Sequence, residues 1–279
     1  MYEILERKAL NDNVVRLDVK APFIAAKAKA GQFVILMPKE DSERIPLTIA
    51  GTDKEKGTVT VIFQTVGETT MELANLKVGD SLFAFSGPLG KPTALEKDKK
   101  YLIIGGGVGS AIAYPIAKSL SEMGNKATVI CGFRNKDIVI LEDEFKEASG
   151  DFYLATDDGS YGIKGNVVAV MEDILKDHKI DEVITIGPLI MMKFVTECAK
   201  KHNLKVTVSM NPIMIDGTGM CGCCRLMVGG QMKFACIDGP DFDGTLINFD
   251  EAMSRNRSYL DFEKKHRETA CNLFKKEAN

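Results

Sequence analysis

The sequence lacks any segment that would anchor it in a bilayer as a helix. Its longest uncharged run, residues 101–117, is 17 residues long, short of the roughly 20 that a membrane-spanning helix needs. Four glycines interrupt it, so a buried strand and turn account for it better. The N-terminus, Met1-Tyr2-Glu3-Ile4-Leu5-Glu6-Arg7, has acids early and no apolar core, so no secretory leader is expected. An excess of one charge is missing too. A formal charge of −3 gives no electrostatic reason to expect nucleic acid or an anionic membrane as partner. A disulfide framework is equally absent. Seven cysteines are an odd number, and four crowd into one window while Cys131, Cys198 and Cys271 stand alone. That pattern fits a reducing, cytoplasmic setting, with Cys131 and Cys198 as small buried hydrophobes. Tryptophan is also missing, which decides nothing.

What is present is the composition of an ordinary globular protein, 45% apolar and 27% charged. At 279 residues the chain suits two domains and an appendage. Residues 2–10, 14–19, 33–37, 58–65 and 81–86 have strand composition, separated by Asn-Asp, Gly and Pro punctuation. Only residues 68–75 between them have helical character. Short strands without helical periodicity predict an antiparallel barrel over residues 1–97. From residue 98 to 209 strands alternate with helices, at 101–104, 127–131, 152–155, 182–186 and 206–209 for the strands. That spacing predicts a doubly wound parallel sheet, giving a β + α/β fold overall.

A third stretch, residues 210–248, carries the cysteines. Asp216-Gly217-Thr218-Gly219-Met220-Cys221-Gly222-Cys223-Cys224 is answered by Cys236. A glycine-rich loop delivering closely spaced thiolates suits an iron–sulfur cluster or zinc. Zinc would take Cys221, Cys223, Cys224 and Cys236 as four thiolates, but zinc ribbons favour two Cys-x2-Cys knuckles and only one is present. Plant-type 2Fe-2S centres use C-x4-C-x2-C and a distant cysteine. Counting Asp216 as the first ligand reproduces that spacing, with Cys221, Cys224 and Cys236 completing the set. Adjacent Cys223 and Cys224 point to opposite sides of an extended backbone, which makes Cys223 the bystander. Residues 249–279 are charged, free of Gly and Pro, and read as a helical tail with apolar Met253, Leu260, Leu273 and Phe274.

Two features of the barrel go beyond structure. Arg44-Ile45-Pro46-Leu47-Thr48 offers a guanidinium fork suited to a diphosphate and a hydroxyl suited to a flavin edge. Gly67-Glu68-Thr69-Thr70 opens the short helix with backbone N–H groups that suit a phosphate. In the next domain Gly105-Gly106-Gly107-Val108-Gly109 follows the first strand. It is not the Gly-x-Gly-x-x-Gly form, since Ser110 takes the sixth place, but it still lets a pyrophosphate approach a helix N-terminus.

Taken together, Arg-x-Pro-Leu-Thr, the Gly-Thr turn, Gly105 to Gly109, Gly132-Phe133-Arg134 and Gly187-Pro188 resemble the ferredoxin–NADP reductase superfamily. The resemblance implies FAD, with Arg44 on the diphosphate, Pro46, Leu47 and Thr48 along the isoalloxazine, and Gly67, Thr69 and Thr70 at the phosphate turn. That turn usually reads Gly-x-Gly-Thr, and Thr69 departs from it. NAD(H) or NADP(H) is implied at Gly107, Val108, Gly109 and Ser110, with Arg134 near adenosine and Gly187-Pro188 near nicotinamide. The run from Cys236 to Phe242 resembles the iron–sulfur module of dihydroorotate dehydrogenase electron-transfer subunits, which have cysteine at the place of Asp216. With Asp216 in Asp-Gly-Thr-Gly-Met-Cys, the chain is similar to small subunits of NADH-dependent ferredoxin:NADP oxidoreductases. That resemblance implies a larger partner subunit with its own FAD and 4Fe-4S clusters, ferredoxin reached through the complex, and electron bifurcation. The competing class is a zinc-stabilised nucleotide-binding module without redox chemistry.

Overall fold

A computed structural model describes residues 2–259 and Phe262. The first unit holds β1 (Tyr2–Asn11), β2 (Val14–Lys20), α1 (Pro22–Ala25), β3 (Phe33–Met37), β4 (Ile45–Asp53), β5 (Thr58–Gln64), α2 (Glu68–Asn75), β6 (Ser81–Leu82) and β7 (Ala84–Leu89). They form one antiparallel sheet in the order β6-β1-β2-β5-β4-β3-β7. Its two edge strands are consecutive in the chain, separated by Phe83, so the sheet curls almost into a barrel. The single run expected at 81–86 splits there, because the Phe83 N–H turns away to the Pro38 carbonyl, 3.2 Å.

Strand alternation decides what each face meets. Val15, Leu17 and Val19 of β2 enter the barrel core with Val59, Val61 and Phe63 of β5. On β3, Val34 and Leu36 join that core, whereas Phe33 and Ile35 point the other way and join the core of the second unit. All four are buried. This strand is therefore covered on both sides.

The second unit runs β8 (Tyr101–Gly106), α3 (Gly109–Glu122), β9 (Thr128–Phe133), α4 (Glu142–Ala148), β10 (Asp151–Thr156), β11 (Ile163–Lys164), α5 (Val167–Asp177), β12 (Glu182–Ile186), α6 (Leu189–Lys201) and β13 (Lys205–Ser209). Tyr101, Ile103 and Ile184 pack with Ile116 and Leu120 of α3 and Phe145 of α4. Leu102, Ile104 and Val183 pack on the opposite face with Met171 of α5 and Met192 and Val195 of α6. Helices thus cover both faces of the parallel strands, as the alternation of strands and helices predicts.

The last segment is β14 (Arg225–Val228), β15 (Gln231–Phe234), α7 (Ala235–Asp238), β16 (Asp241–Asp243) and α8 (Phe249–Asn256). β16 adds to the large sheet antiparallel to β13, Val208 opposite Phe242, giving the order β11-β10-β9-β8-β12-β13-β16. Cys224, Leu226, Cys236 and Phe249 belong to the same hydrophobic core as α5 and α6. The cysteine segment is thus packed into the second unit and shares its core across residue 209. Of the helical tail, α8 is described and includes Met253, while Leu260, Leu273 and Phe274 lie outside the described residues. No helix of the described residues is long and apolar enough to cross a membrane.

Because Ile35 belongs to the second unit's core rather than the barrel's, its truncation tests that junction. Ile35→Ala is expected to cost about 2–5 kcal/mol in denaturant unfolding, and Val34→Ala, on the barrel side, should loosen the barrel instead. Equal protection loss in both units from either variant, read by hydrogen exchange, would count against a two-sided β3.

Candidate redox-cofactor site

The cysteine loop is shaped by its glycines and by one carboxylate. Gly217 and Gly219 have φ of +81° and +85°, the left-handed region that disfavours a side chain. A Cβ on Gly217 would also lie 2.7 Å from Ile35 Cδ1 and 2.8 Å from Leu89 Cδ1. The loop therefore rests directly on β3 and β7 of the barrel. Asp216 Oδ2 accepts hydrogen bonds from the Thr218 N–H (3.0 Å), the Thr218 hydroxyl (2.5 Å) and the Met220 N–H (3.2 Å). The Thr218 hydroxyl is the largest of the influences that hold this carboxyl below its ordinary range, followed by the Thr218 N–H, with Arg44 adding a smaller one. One carboxylate oxygen thus ties the loop, and no hydrogen bond of the loop engages Oδ1.

The cysteines divide by environment. Cys224 and Cys236 are buried with their sulfurs 3.2 Å apart. Burial, then the Cys224 contact, pushes the Cys236 thiol up to about 12. Cys221 is exposed, and its thiol is lowered chiefly by the Cys223 N–H, with the Asp216 and Ile215 N–H groups adding to it. Converging backbone donors of this kind stabilise an anion and suit a thiolate ligand. Cys223 is half-buried, and burial, then the neighbouring Cys221 and Cys224, pushes its thiol up. It lines a cavity of about 170 Å³ with Arg225 and Arg255 beneath α8. Cys224 is buried where its neighbour Cys223 is only half-buried.

Thiolates about 2.3 Å from one zinc sit at most about 4.6 Å apart. Among the described residues, no three of Asp216, Cys221, Cys223, Cys224 and Cys236 bring their ligand atoms within 4.8 Å of one another. A single tetrahedral ion is poorly served by that spread, whereas two irons divide four ligands between them. The donor set of one hard oxygen and three thiolates fits such a centre.

The flavin signature meets this loop. Arg44 Nε donates to the Ile215 carbonyl at 2.7 Å, one residue before Asp216. The rest of the guanidinium fork makes no hydrogen bond within the described chain. Pro46, Leu47 and Thr48 are half-buried at the start of β4, opposite Ile35, Val34 and Phe33 of β3. β4 pairs with β5 only from Ile49 onward. Residues 45–48 therefore keep one unpaired edge, where a proline is tolerated and where a ring can be hydrogen-bonded. At α2 the expected phosphate turn is partly self-satisfied. The Thr70 hydroxyl accepts from the Val66 and Gly67 N–H groups at 3.0 and 2.9 Å and donates to the Gly67 carbonyl. Thr69 is buried, and the space beside Gly67 is open. Thr70 shapes the turn; Gly67 leaves room at it.

The nucleotide turn sits where the strand order reverses, between β8 and β12, the place where doubly wound sheets bind ligands. A Cβ on Gly109 would lie 2.6 Å from the Ile186 carbonyl oxygen and 2.8 Å from Gly187 Cα, so α3 starts pressed against the end of β12. Gly107 differs. Its φ is +56°, and nothing lies within 4 Å of the place a Cβ would take. That is a backbone open to a ligand at a helix N-terminus. Val108 is half-buried beside it, and Pro188 starts α6 across the crevice. The Ser110 side chain is fully buried under Gly105, and its N–H already bonds the Gly107 carbonyl at 3.1 Å. Ser110 therefore builds the turn without presenting its hydroxyl. Arg134 follows β9, exposed and free of ion pairs among the described residues.

Sequence reasoning missed the joints between these parts. Nothing in the sequence pairs Arg44 with residue 215. The residue Asp241 is half-buried but its carboxyl is enclosed and pushed up by that desolvation, and it accepts from the Thr93 hydroxyl at 2.6 Å, tying the barrel's exit segment to β16. The Lys91 N–H also reaches the Gly239 carbonyl, 2.7 Å. The Asp-Gly-Pro-Asp run was the available signal, a polar turn inside an otherwise apolar stretch. Of the lone cysteines, Cys131 and Cys198 are buried as expected, and burial is the main cause that pushes both thiols up to about 12.

Comparison with known proteins places these parts together. A family model described as the iron–sulfur cluster binding domain of dihydroorotate dehydrogenase B matches residues 211–248. A Clostridium beijerinckii protein of uncharacterised activity is 48% identical over 268 residues, covering 93% of this chain and 90% of its own. A Thermotoga maritima homolog of the dihydroorotate dehydrogenase B (NAD(+)) electron transfer subunit is 45% identical over 264 residues, 95% and 93% of the two chains. Among solved structures, a chain of an NADH-dependent reduced ferredoxin-NADP oxidoreductase, described in a study of flavin-based electron bifurcation, superposes with TM-score 0.91. It is 43% identical and covers 96% of this chain and 97% of that one.

Gly107 provides the cleanest probe of the nucleotide turn. Gly107→Ala places a methyl in the open space and strains the backbone by about 1–2 kcal/mol, so NADH or NADPH affinity should fall roughly 10-fold or more while the protein still folds. Unchanged affinity in a titration would remove the turn from the nucleotide site.

Proposed function

As a member of the family of dihydroorotate dehydrogenase B electron-transfer subunits and their homologues, the chain is, we propose, the small subunit of an NADH-dependent reduced ferredoxin:NADP oxidoreductase. The observation that carries this is the end-to-end likeness to a chain of such an enzyme, at 43% identity. The protein is an oxidoreductase electron-transfer subunit that uses FAD, a 2Fe-2S cluster and NAD(H). Functionally we divide it into an FAD-binding barrel (1–97), a nucleotide domain (98–209), a cluster module (210–248) and a tail (249–279).

Bound together, these groups supply two-electron hydride exchange with nicotinamide and one-electron transfer to iron, chemistry that belongs to the cofactors. The chain's residues bind and orient. The free nitrogens of Arg44 would take the flavin diphosphate and Pro46, Leu47 and Thr48 the ring edge. Gly67 and the buried Thr69 would line the phosphate turn that Thr70 braces. Gly107, Val108 and Gly109 would receive the nucleotide pyrophosphate on a turn shaped by Ser110. Arg134 would lie at the adenosine, where its charge also suits a 2′-phosphate, and Gly187 and Pro188 at the nicotinamide. Asp216, Cys221, Cys224 and Cys236 would hold the cluster, with an anionic oxygen replacing one soft thiolate and thereby changing the potential. No side chain is required as acid or base.

A subunit of this kind hands its electrons onward. The relatives named as electron-transfer subunits support a larger iron–sulfur flavoprotein partner, and the ferredoxin:NADP reading adds 4Fe-4S clusters, a second FAD, ferredoxin and bifurcation. A dihydroorotate dehydrogenase partner is the second reading, favoured by the Thermotoga relative and the module match.

Anaerobic purification of the complex from cells expressing this chain separates the two. A partner carrying FAD and 4Fe-4S clusters, with NADP reduction that requires both NADH and reduced ferredoxin, is the expected result. A partner carrying FMN and oxidising dihydroorotate would replace it with the second reading. In the same preparation, Cys223→Ala should leave the cluster's EPR signal intact and Cys221→Ala should abolish it; the reverse pattern would overturn the ligand set.

A further inference from the structure

One set of metal-ligating groups lies apart from the cofactor machinery. Cys198 and His202 stand four residues apart on α6, a spacing that puts both on one helix face. Glu172 of the neighbouring α5 reaches between them. Its Oε1 accepts from Cys198 Sγ at 3.4 Å and its Oε2 lies 2.8 Å from His202 Nε2. The sulfur, nitrogen and oxygen all fall within 4.8 Å of one another, the three-ligand group of the described residues that meets this condition.

Its place in the fold separates it from the nucleotide crevice. α6 starts at the C-terminal end of β12 and returns toward the N-terminal end of β13. His202 closes the helix at that far end, opposite the crevice that holds Gly107 and Gly187. Cys198 is buried, Glu172 half-buried and His202 exposed. The sulfur is thus fixed from the protein side, while an ion can arrive from solvent between the other two groups. Besides His202, Lys201 is a charged neighbour of Glu172 and Cys198, and Lys176 of Glu172.

We propose that Glu172, Cys198 and His202 form a three-ligand Zn²⁺ site that clips α5 to α6, with a fourth position open to water. Thiolate, imidazole and carboxylate are the donors zinc takes, at about 2.3, 2.0–2.1 and 2.0–2.2 Å. Ligands at those lengths around one tetrahedral ion are about 3.3–3.7 Å apart. The observed separations, 3.4 Å from Cys198 to Oε1 and 2.8 Å from His202 to Oε2 of the same carboxylate, are within about half an ångström of that range. On binding, the S–H bond of Cys198 breaks, its electron pair stays on sulfur and is donated to zinc as a coordinate bond, and the proton leaves to solvent. No electron is exchanged. The hydrogen-bonded trio without metal is the alternative that the test addresses.

The test uses holoprotein with flavin and cluster in place. It is equilibrated anaerobically with ZnCl₂, desalted and analysed for zinc and iron together. About one zinc per chain is expected with iron unchanged, and at least about tenfold weaker retention in Cys198→Ser and in His202→Gln. Anomalous diffraction at the zinc edge on the wild-type protein should place the ion among the three side chains, a readout that does not depend on either variant folding. Absence of retained zinc would overturn the proposal, as would retention by both variants at the wild-type level. Zinc gained at the expense of iron would overturn it too, since the ion would then occupy the cysteine loop.

Discussion

The contact on which the arrangement depends is the seat of the cysteine loop on the back of β3. A side chain at residue 217 would strike Ile35 and Leu89, so only a glycine in the left-handed conformation lets the loop lie this close. β3 can serve as the seat because it is apolar on both sides. Val34 and Leu36 fill the barrel while Phe33 and Ile35 close the core beneath the loop. Arg44 then fastens the loop's shoulder through Ile215. The residues proposed to hold flavin and those proposed to hold the cluster are thereby carried on adjacent surfaces of one packed body, which short-range electron transfer requires.

The nucleotide end is built by a different constraint. There the requirement is close approach of backbone to backbone, met by Gly109 against the end of β12, together with open space over Gly107. Both come from glycines in one turn, yet one is needed for packing and the other for access. The same division appears at Asp216, where one oxygen organises the loop and the loop's hydrogen bonds leave the other unengaged.

Much of this was legible in the sequence. Alternation and β-branched runs located the barrel strands, and the change of period after residue 98 located the parallel sheet, because both patterns reflect which faces are buried. Spacing, with the alternation that set Cys223 aside, singled out Asp216, Cys221, Cys224 and Cys236 as the proposed ligands. What could not be read was anything set by distant contacts. Phe83 breaks a strand because Pro38 lies opposite, Thr70 spends its hydroxyl on its own turn, and Ser110 turns inward under Gly105. β16 looked like part of a separate module, but its hydrogen bonds complete the large sheet. The Cys198, Glu172 and His202 trio was equally hidden, since an isolated cysteine gives no sign of which neighbouring helix faces it.

The central claim is that two irons sit in the loop on β3, held by one oxygen and three sulfurs. Anomalous diffraction at the iron edge from anaerobic crystals of the holoprotein measures this most directly. The account predicts two iron peaks bounded by Asp216, Cys221, Cys224 and Cys236, with Cys223 outside the coordination sphere. A single metal peak, or iron bound by Cys223 with Asp216 turned away, would contradict it.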